Sequence, residues 1–102
     1  IILGADINTW QSDKSGYSGH EALIAGGFYD TLAAETRINP EFTTSNGFKT
    51  TLTPNANGVG SHLDVVMVKG GKGGADRWVN MMQNPDANRP SDHNLVYADI
   101  TI

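Results

Sequence analysis

The chain of 102 residues contains no cysteine, so disulfides and thiolate chemistry are both excluded and the redox compartment stays open. Lysine and arginine total 7 against 11 acidic residues, and the net charge of −4 supplies no basic field to draw in nucleic acid. Catalysis on a phosphodiester survives that balance, because a divalent cation offsets an acidic site. No apolar run approaches the roughly 20 residues of a membrane-spanning helix. The start Ile1-Ile2-Leu3 is apolar but short and has no basic leader, so it reads as strand rather than signal peptide. Gly, Asn and Thr are plentiful and Lys scarce, a balance frequent in secreted bacterial proteins that by itself assigns no compartment.

What is present suits a globular protein: 38% hydrophobic and 18% charged residues. At this length the chain makes one domain at most and could bury roughly two-thirds of its unfolded surface. Because it opens within an apolar strand, we expect it to be the interior of a longer protein.

Residues 9–17 are polar and turn-rich. Ser18-Gly19-His20-Glu21 fits a capping box and Gly26-Gly27 a helix stop, which predicts a helix from Gly19 to Ala25. The run Phe28 to Ala34 is expected to pack beneath it as a second helical turn. Phe42 to Leu52 is Thr-rich and predicts one or two strands broken at the turn pair Asn46-Gly47. Pro54 to Gly60 reads as loop. Leu63 to Val68 is a continuous apolar run and the clearest buried strand. Gly70-Gly71-Lys72-Gly73-Gly74 lacks the strand-to-helix context of a phosphate-binding loop and reads as a flexible connection. Strands are expected at Arg77 to Met82 and Leu95 to Ile102, with a loop at Asn84 to Pro90. Strand, helix, then mostly strands suits a layered α+β sandwich.

Three short segments carry chemistry. Asp6 and Asn8 are two apart, so on an extended segment both would project from one face. A carboxylate there can take a proton from water, and an amide can donate to a phosphate oxygen without adding charge. An Asx turn closing the strand is the equal alternative. Asp64 interrupts an apolar strand, where an ionised carboxylate needs a partner. His93 is the natural one, since a carboxylate on one ring nitrogen fixes the tautomer and raises the basicity of the other; bonding to loop amides is the alternative. Asp92 and His93 precede an apolar strand, on a loop at a sheet edge. Asp92 could bind a hard cation, and His93 could stabilise charge on phosphoryl oxygens. His62 could face the same side as Asp64 and touch substrate, or pack at a strand edge. His20 reads as a solvated surface residue, Asn46 as a turn residue, and Trp10 and Trp78 as core.

With Gly4-Ala5-Asp6-Ile7-Asn8, Leu63-Asp64-Val65-Val66 and Ser91-Asp92-His93 in this order, the chain resembles the endonuclease/exonuclease/phosphatase superfamily. This deoxyribonuclease I-like group includes abasic-site endonucleases, sphingomyelinases and inositol-polyphosphate phosphatases, and the motifs span the chain from start to end. The resemblance implies an α+β fold, the C-terminal half of a four-layer α/β-β/α sandwich with mostly antiparallel strands, over residues 1–102. It implies Mg²⁺- or Mn²⁺-dependent (or Ca²⁺-dependent) hydrolysis of a phosphate ester by water. Asp6 would activate the water, Asn8 and His93 would hold the phosphoryl group, Asp64 would orient His93, Asp92 would serve the metal site, and His62 would lie near substrate. The substrate would be nucleic acid, by a nuclease-like phosphodiesterase, or else a phospholipid or inositol phosphate.

Three departures stand out. Ala5 replaces a frequent Gly, and His62 stands where an Arg is frequent. The family's metal-binding Glu, in a Gln-Glu pair, is matched by none of Glu21, Glu35 and Glu41. The chain alone is therefore expected to be inactive, and either to pair with a separate N-terminal half or to self-associate through a face built by Leu63, Val65, Val66, Met67, Val68 and Val96. A non-catalytic β-rich module with a structural cation is the competing reading, and it requires Asp6, Asp64 and His93 to lie far apart.

Overall fold

In the computed structural model the apolar runs at Ile2-Leu3 and Val65–Val68 lie side by side as neighbouring strands. The structure describes residues 1–9, 19–49, 51–56, 58–71, 74–82 and 91–101. In chain order these contain strand β1 (Ile2–Asp6), helix α1 (Gly19–Ala25), strand β2 (Tyr29–Asp30), a 3₁₀ turn (Thr31–Ala33) and strand β3 (Thr36–Ile38). Strands β4 (Asp64–Val68), β5 (Ala75–Met81) and β6 (Leu95–Ile100) follow. The described residues thus form a mostly-β protein with one short helix and two three-stranded sheets. In one sheet β4 runs antiparallel between β1 and β2; in the other β5 lies between β3, parallel to it, and β6, antiparallel. No described helix is long and apolar enough to cross a membrane.

Helix α1 has the predicted bounds. Ser18, the expected cap, lies outside the described residues; the Thr9 hydroxyl accepts the His20 backbone N–H at 3.1 Å and closes the first turn instead. At the other end Gly27 takes φ +94°, Phe28 N–H donates to Leu23 C=O and Gly27 N–H to Ile24 C=O, the Schellman pattern. The helix is tied to the chain beyond it by His20, whose Nε2 lies 2.8 Å from Asp30 Oδ2. His20 is buried, which corrects the solvated reading: its first-turn position faces inward toward that carboxylate.

The segment after the helix is only partly the expected helical turn. Tyr29 and Asp30 pair with β4, and the helical turn begins at Thr31 because Asp30 Oδ1 accepts the Leu32 N–H at 2.9 Å. This 3₁₀ turn touches both sheets through β4 and β5. The buried Thr31 hydroxyl donates to Val66 C=O at 2.7 Å, while Leu32 and Ala34 pack with Trp78, which is 1% exposed. Burying an aromatic of that size is worth, at ~25 cal/mol per Å² over ~150–250 Å², at most roughly 4–6 kcal/mol.

One expectation needs correction. Phe42 to Leu52 holds no strand among its described residues; only an isolated bridge joins Ser45 to His93. Here Thr and Asn side chains bond the backbone and displace a ladder. The Asn46-Gly47 turn is present, with Asn46 Oδ1 accepting Phe48 N–H at 2.8 Å and φ of +59° at both Gly47 and Phe48. Of the apolar residues around β4, Val65, Met67 and Val68 are buried and Leu63, Val66 and Val96 half-buried, while Ile2, which pairs with Val68, and Leu95 are exposed.

Candidate active site

The register of β1 against β4 places Asp6 directly opposite Asp64. Strand pairing alone thus brings two carboxylates, far apart in sequence, to one end of the first sheet. His93 reaches the same end from the segment before β6. That segment is clipped to the 44–47 loop: Asp92 C=O accepts N–H groups of Asn46 (2.6 Å) and Gly47 (3.2 Å), and Asn94 N–H donates to Thr44 C=O at 2.8 Å. The Ser91 hydroxyl, accepting His93 N–H at 3.1 Å, tightens the turn from within.

The expected partnership of Asp64 and His93 is present, with Nδ1 2.7 Å from Asp64 Oδ2. With Asp64 ionised, Nδ1–H is the donor, and the other nitrogen is left to face outward. His93 Nε2 lies 3.8 Å from Asp6 Oδ2 and 4.0 Å from Asp92 Oδ1. The hydrogen bond to Asp64 holds the imidazole pKa above its ordinary value, against partial desolvation, and the charges of Asp64, Asp6 and Asp92 add to it. The site therefore presents an imidazole whose protonated form is favoured by the carboxylates around it.

Asn8 corrects the shared-face geometry. Strand β1 ends at Asp6, and Asn8 has φ +55° with its backbone N–H donating to Asp6 Oδ1 at 2.9 Å. This is the Asx turn, which Asn tolerates because its short amide suits the left-handed region. Asn8 stays exposed beside Asp6 all the same.

His62 does not join the site. It is 1% exposed, its ring lies 4.8 Å from the Trp78 ring, and Nε2 contacts Phe42 C=O at 3.0 Å. Burial foremost pushes its pKa below the ordinary imidazole value. Packing, the alternative reading of His62, is the one realised, and the substrate contact is withdrawn because no solvent reaches the ring. Trp78 is core as expected, while Trp10 lies outside the described residues.

Four residues beneath the site were not singled out for it. Thr44, Asn46, Asn80 and Asn94 are all buried. Asn46 Nδ2 donates to Asn94 Oδ1 at 3.0 Å, and Asn94 Nδ2 donates to Asn80 Oδ1 at 3.0 Å. Asn80 was visible by the rule that exposed Asp64, a polar residue inside an apolar strand. Nothing in Asn94 or Thr44 distinguishes them from loop residues.

Asp6, Asp64 and His93 each offer an atom within 4.8 Å of the others, a donor set that suits a divalent ion. Hard cations favour oxygen. Within this group Asp64 Oδ2 is engaged by His93, and Asp6 is the exposed carboxylate. A cleft of about 270 Å³ opens beside them, lined by Gly4, Ala5, Asp6, Asp64, Asn94 and Leu95 among others. Comparison of the chain with protein-family models, curated proteins and solved structures finds no match.

Proposed function

We propose that the chain contributes the catalytic cluster of a divalent-metal-dependent phosphate-ester hydrolase, of the nuclease-like phosphodiesterase kind. The observation that carries this reading is the seating of His93: one nitrogen bonded to Asp64, the other facing Asp6, from three segments far apart in sequence. A binding module needs no such convergence.

In this reading Asp6 accepts the proton of the attacking water. His93, its Nδ1–H held by Asp64, points Nε2–H at a phosphoryl oxygen and stabilises the charge that develops there. Asn8 offers its neutral amide to the same phosphate. Asp92, with Asp6, would hold Mg²⁺, Mn²⁺ or Ca²⁺, and the ion supplies Lewis-acid stabilisation of phosphoryl charge. Water attacks phosphorus directly, the ester oxygen leaves, and no covalent intermediate with the protein forms.

The resemblance to the deoxyribonuclease I-like group supports the same reading. On that resemblance the chain is the C-terminal half of a four-layer sandwich, and the strongest metal carboxylate comes from a separate N-terminal half; among the described residues Glu21, Glu35 and Glu41 join no metal-capable group. Phospholipid or inositol-phosphate hydrolysis is the second reading, since the net charge of −4 lends no support to nucleic acid as substrate. Assays of the full-length protein with Mg²⁺ against plasmid DNA, sphingomyelin and inositol phosphates separate them. We expect DNA cleavage that His93→Ala abolishes; lipid cleavage alone reverses the order, and undiminished turnover by His93→Ala removes the assignment.

A further inference from the structure

The distance between His93 and Asp64 is set below the site rather than within it. Asp64 belongs to β4 and His93 to the segment before β6, and the two strands lie in different sheets. Thr44 joins them. Its side-chain oxygen accepts the backbone N–H groups of Leu63 (3.1 Å) and Asp64 (3.2 Å). Its carbonyl accepts Asn94 N–H, one residue from His93. A single fully buried threonine therefore grips the backbone of both halves of the pair.

The amides close the same frame from the other side. Asn46 binds Asp92 C=O through its backbone and Ser91 C=O (3.3 Å) and Asn94 Oδ1 through its side chain. Asn94 Nδ2 reaches Thr43 C=O at 3.3 Å as well as Asn80 Oδ1. Asn80 anchors the assembly to β5, with Nδ2 also directed at the carbonyls of Phe42 (3.3 Å) and Thr43 (3.2 Å). Buried polar groups of this kind are costly unless satisfied, and once satisfied they specify one arrangement. Apolar side chains would cover the same volume without fixing the height of His93 over Asp64.

We infer that Thr44, Asn46 and Asn94 are positioning residues that hold the His93 imidazole on Asp64 and aim its outer nitrogen at Asp6. Their role in catalysis rests on the hydrolase reading above; their role in seating the ring does not.

The test uses the whole chain and two independent readouts. The first is the low-field proton resonance of His93 Nδ1–H, assigned by its absence in His93→Gln. Thr44→Val, which keeps shape and loses the hydroxyl, and Asn46→Ala should remain folded by circular dichroism. Both should lose that resonance or exchange it with water at least about tenfold faster, while Thr44→Ser retains it. The second readout, taken on the full-length protein, is Mg²⁺-dependent hydrolysis of bis(p-nitrophenyl) phosphate, where kcat should fall about tenfold or more in Thr44→Val with KM unchanged and recover in Thr44→Ser. Folded variants with an unaltered resonance would overturn the inference. If Thr44→Val fails to fold, Asn46→Ala decides by the same criterion. Absence of turnover in the unmodified full-length protein would count against the hydrolase reading alone, since the resonance still reports the seating of the ring.

Discussion

Asp6 and Asp64 stand opposite one another across the antiparallel β1–β4 pair, and the ring of His93 reaches both of their carboxylates. Like charges in facing positions weaken a sheet, by roughly 0.2–1 kcal/mol for an ordinary pair. A protonated imidazole bonded to one carboxylate and facing the other turns that repulsion into attraction. Without the ring the arrangement carries a standing electrostatic cost.

Removing the ring should therefore do two things at once. His93→Ala is expected to lower phosphate-ester turnover by on the order of 10²–10⁴. It also leaves the two carboxylates facing each other, so its chemical-denaturation midpoint should rise with added salt more than that of the unmodified protein. Equal salt responses would show that His93 does not neutralise the pair.

The two perturbed histidines give pH dependences of opposite sign. His93 binds its proton more tightly when folded, so its contribution is complete below about pH 6.5 and is lost as pH rises through its raised value. His62 is held neutral by burial, so its contribution is complete above about pH 6.5 and is lost as pH falls through its lowered value. Urea unfolding from about pH 5 to 9 should show both limbs. His62→Gln should flatten the acid limb and Asp64→Asn the alkaline one; an unchanged acid slope in His62→Gln would remove His62 from the account.

Gly60 is irreplaceable for a steric reason. A Cβ there would run into the backbone of Phe42 and Thr43, well inside contact distance and with no flexible side chain to yield. The close approach is fixed by Gly60 N–H donating to Pro40 C=O at 2.8 Å. Gly60→Ala should cost roughly 1–3 kcal/mol and lower the melting temperature by several degrees, whereas Gly74→Ala, which meets nothing, should cost far less. Similar melting temperatures would contradict the packing.

Cation binding by this chain should be weak. Asp6 and Asp92 are two exposed carboxylates and Asp64 is occupied by His93. Titration calorimetry with Mg²⁺ should give a dissociation constant on the order of millimolar, weakened further in Asp92→Ala. Micromolar affinity would mean that the described carboxylates are not the whole ligand set.

The parts of the fold legible in the sequence were those that repeat a simple pattern. The helix at Gly19–Ala25 followed from its stop glycines, and β4 from its unbroken apolar run. The Asp64–His93 bond was legible because a carboxylate on an apolar strand demands a partner. Strand β3 was missed, since Thr36, Arg37 and Ile38 are all exposed and carry no alternation. His20 and His62 misled for one reason: a histidine's neighbours in sequence say little about the carboxylate or aromatic ring that long-range pairing brings to it. Thr44 and Asn94 remained hidden because hydrogen-bond satisfaction is a property of the assembled interior.

The clip between Thr44 and Asn94 also governs when the cluster can exist. Apart from the local Ser91–His93 bond, the bonds that seat His93 join stretches distant in sequence, so each closes a loop and is entropically late. A chain emerging from the ribosome can pair β1 with β4 while residue 93 is still within the exit tunnel or just clear of it. Until the last strand docks, Asp6 and Asp64 face each other with no imidazole near them. Nascent and partly unfolded chains thus carry the two acids without the group that completes the cluster.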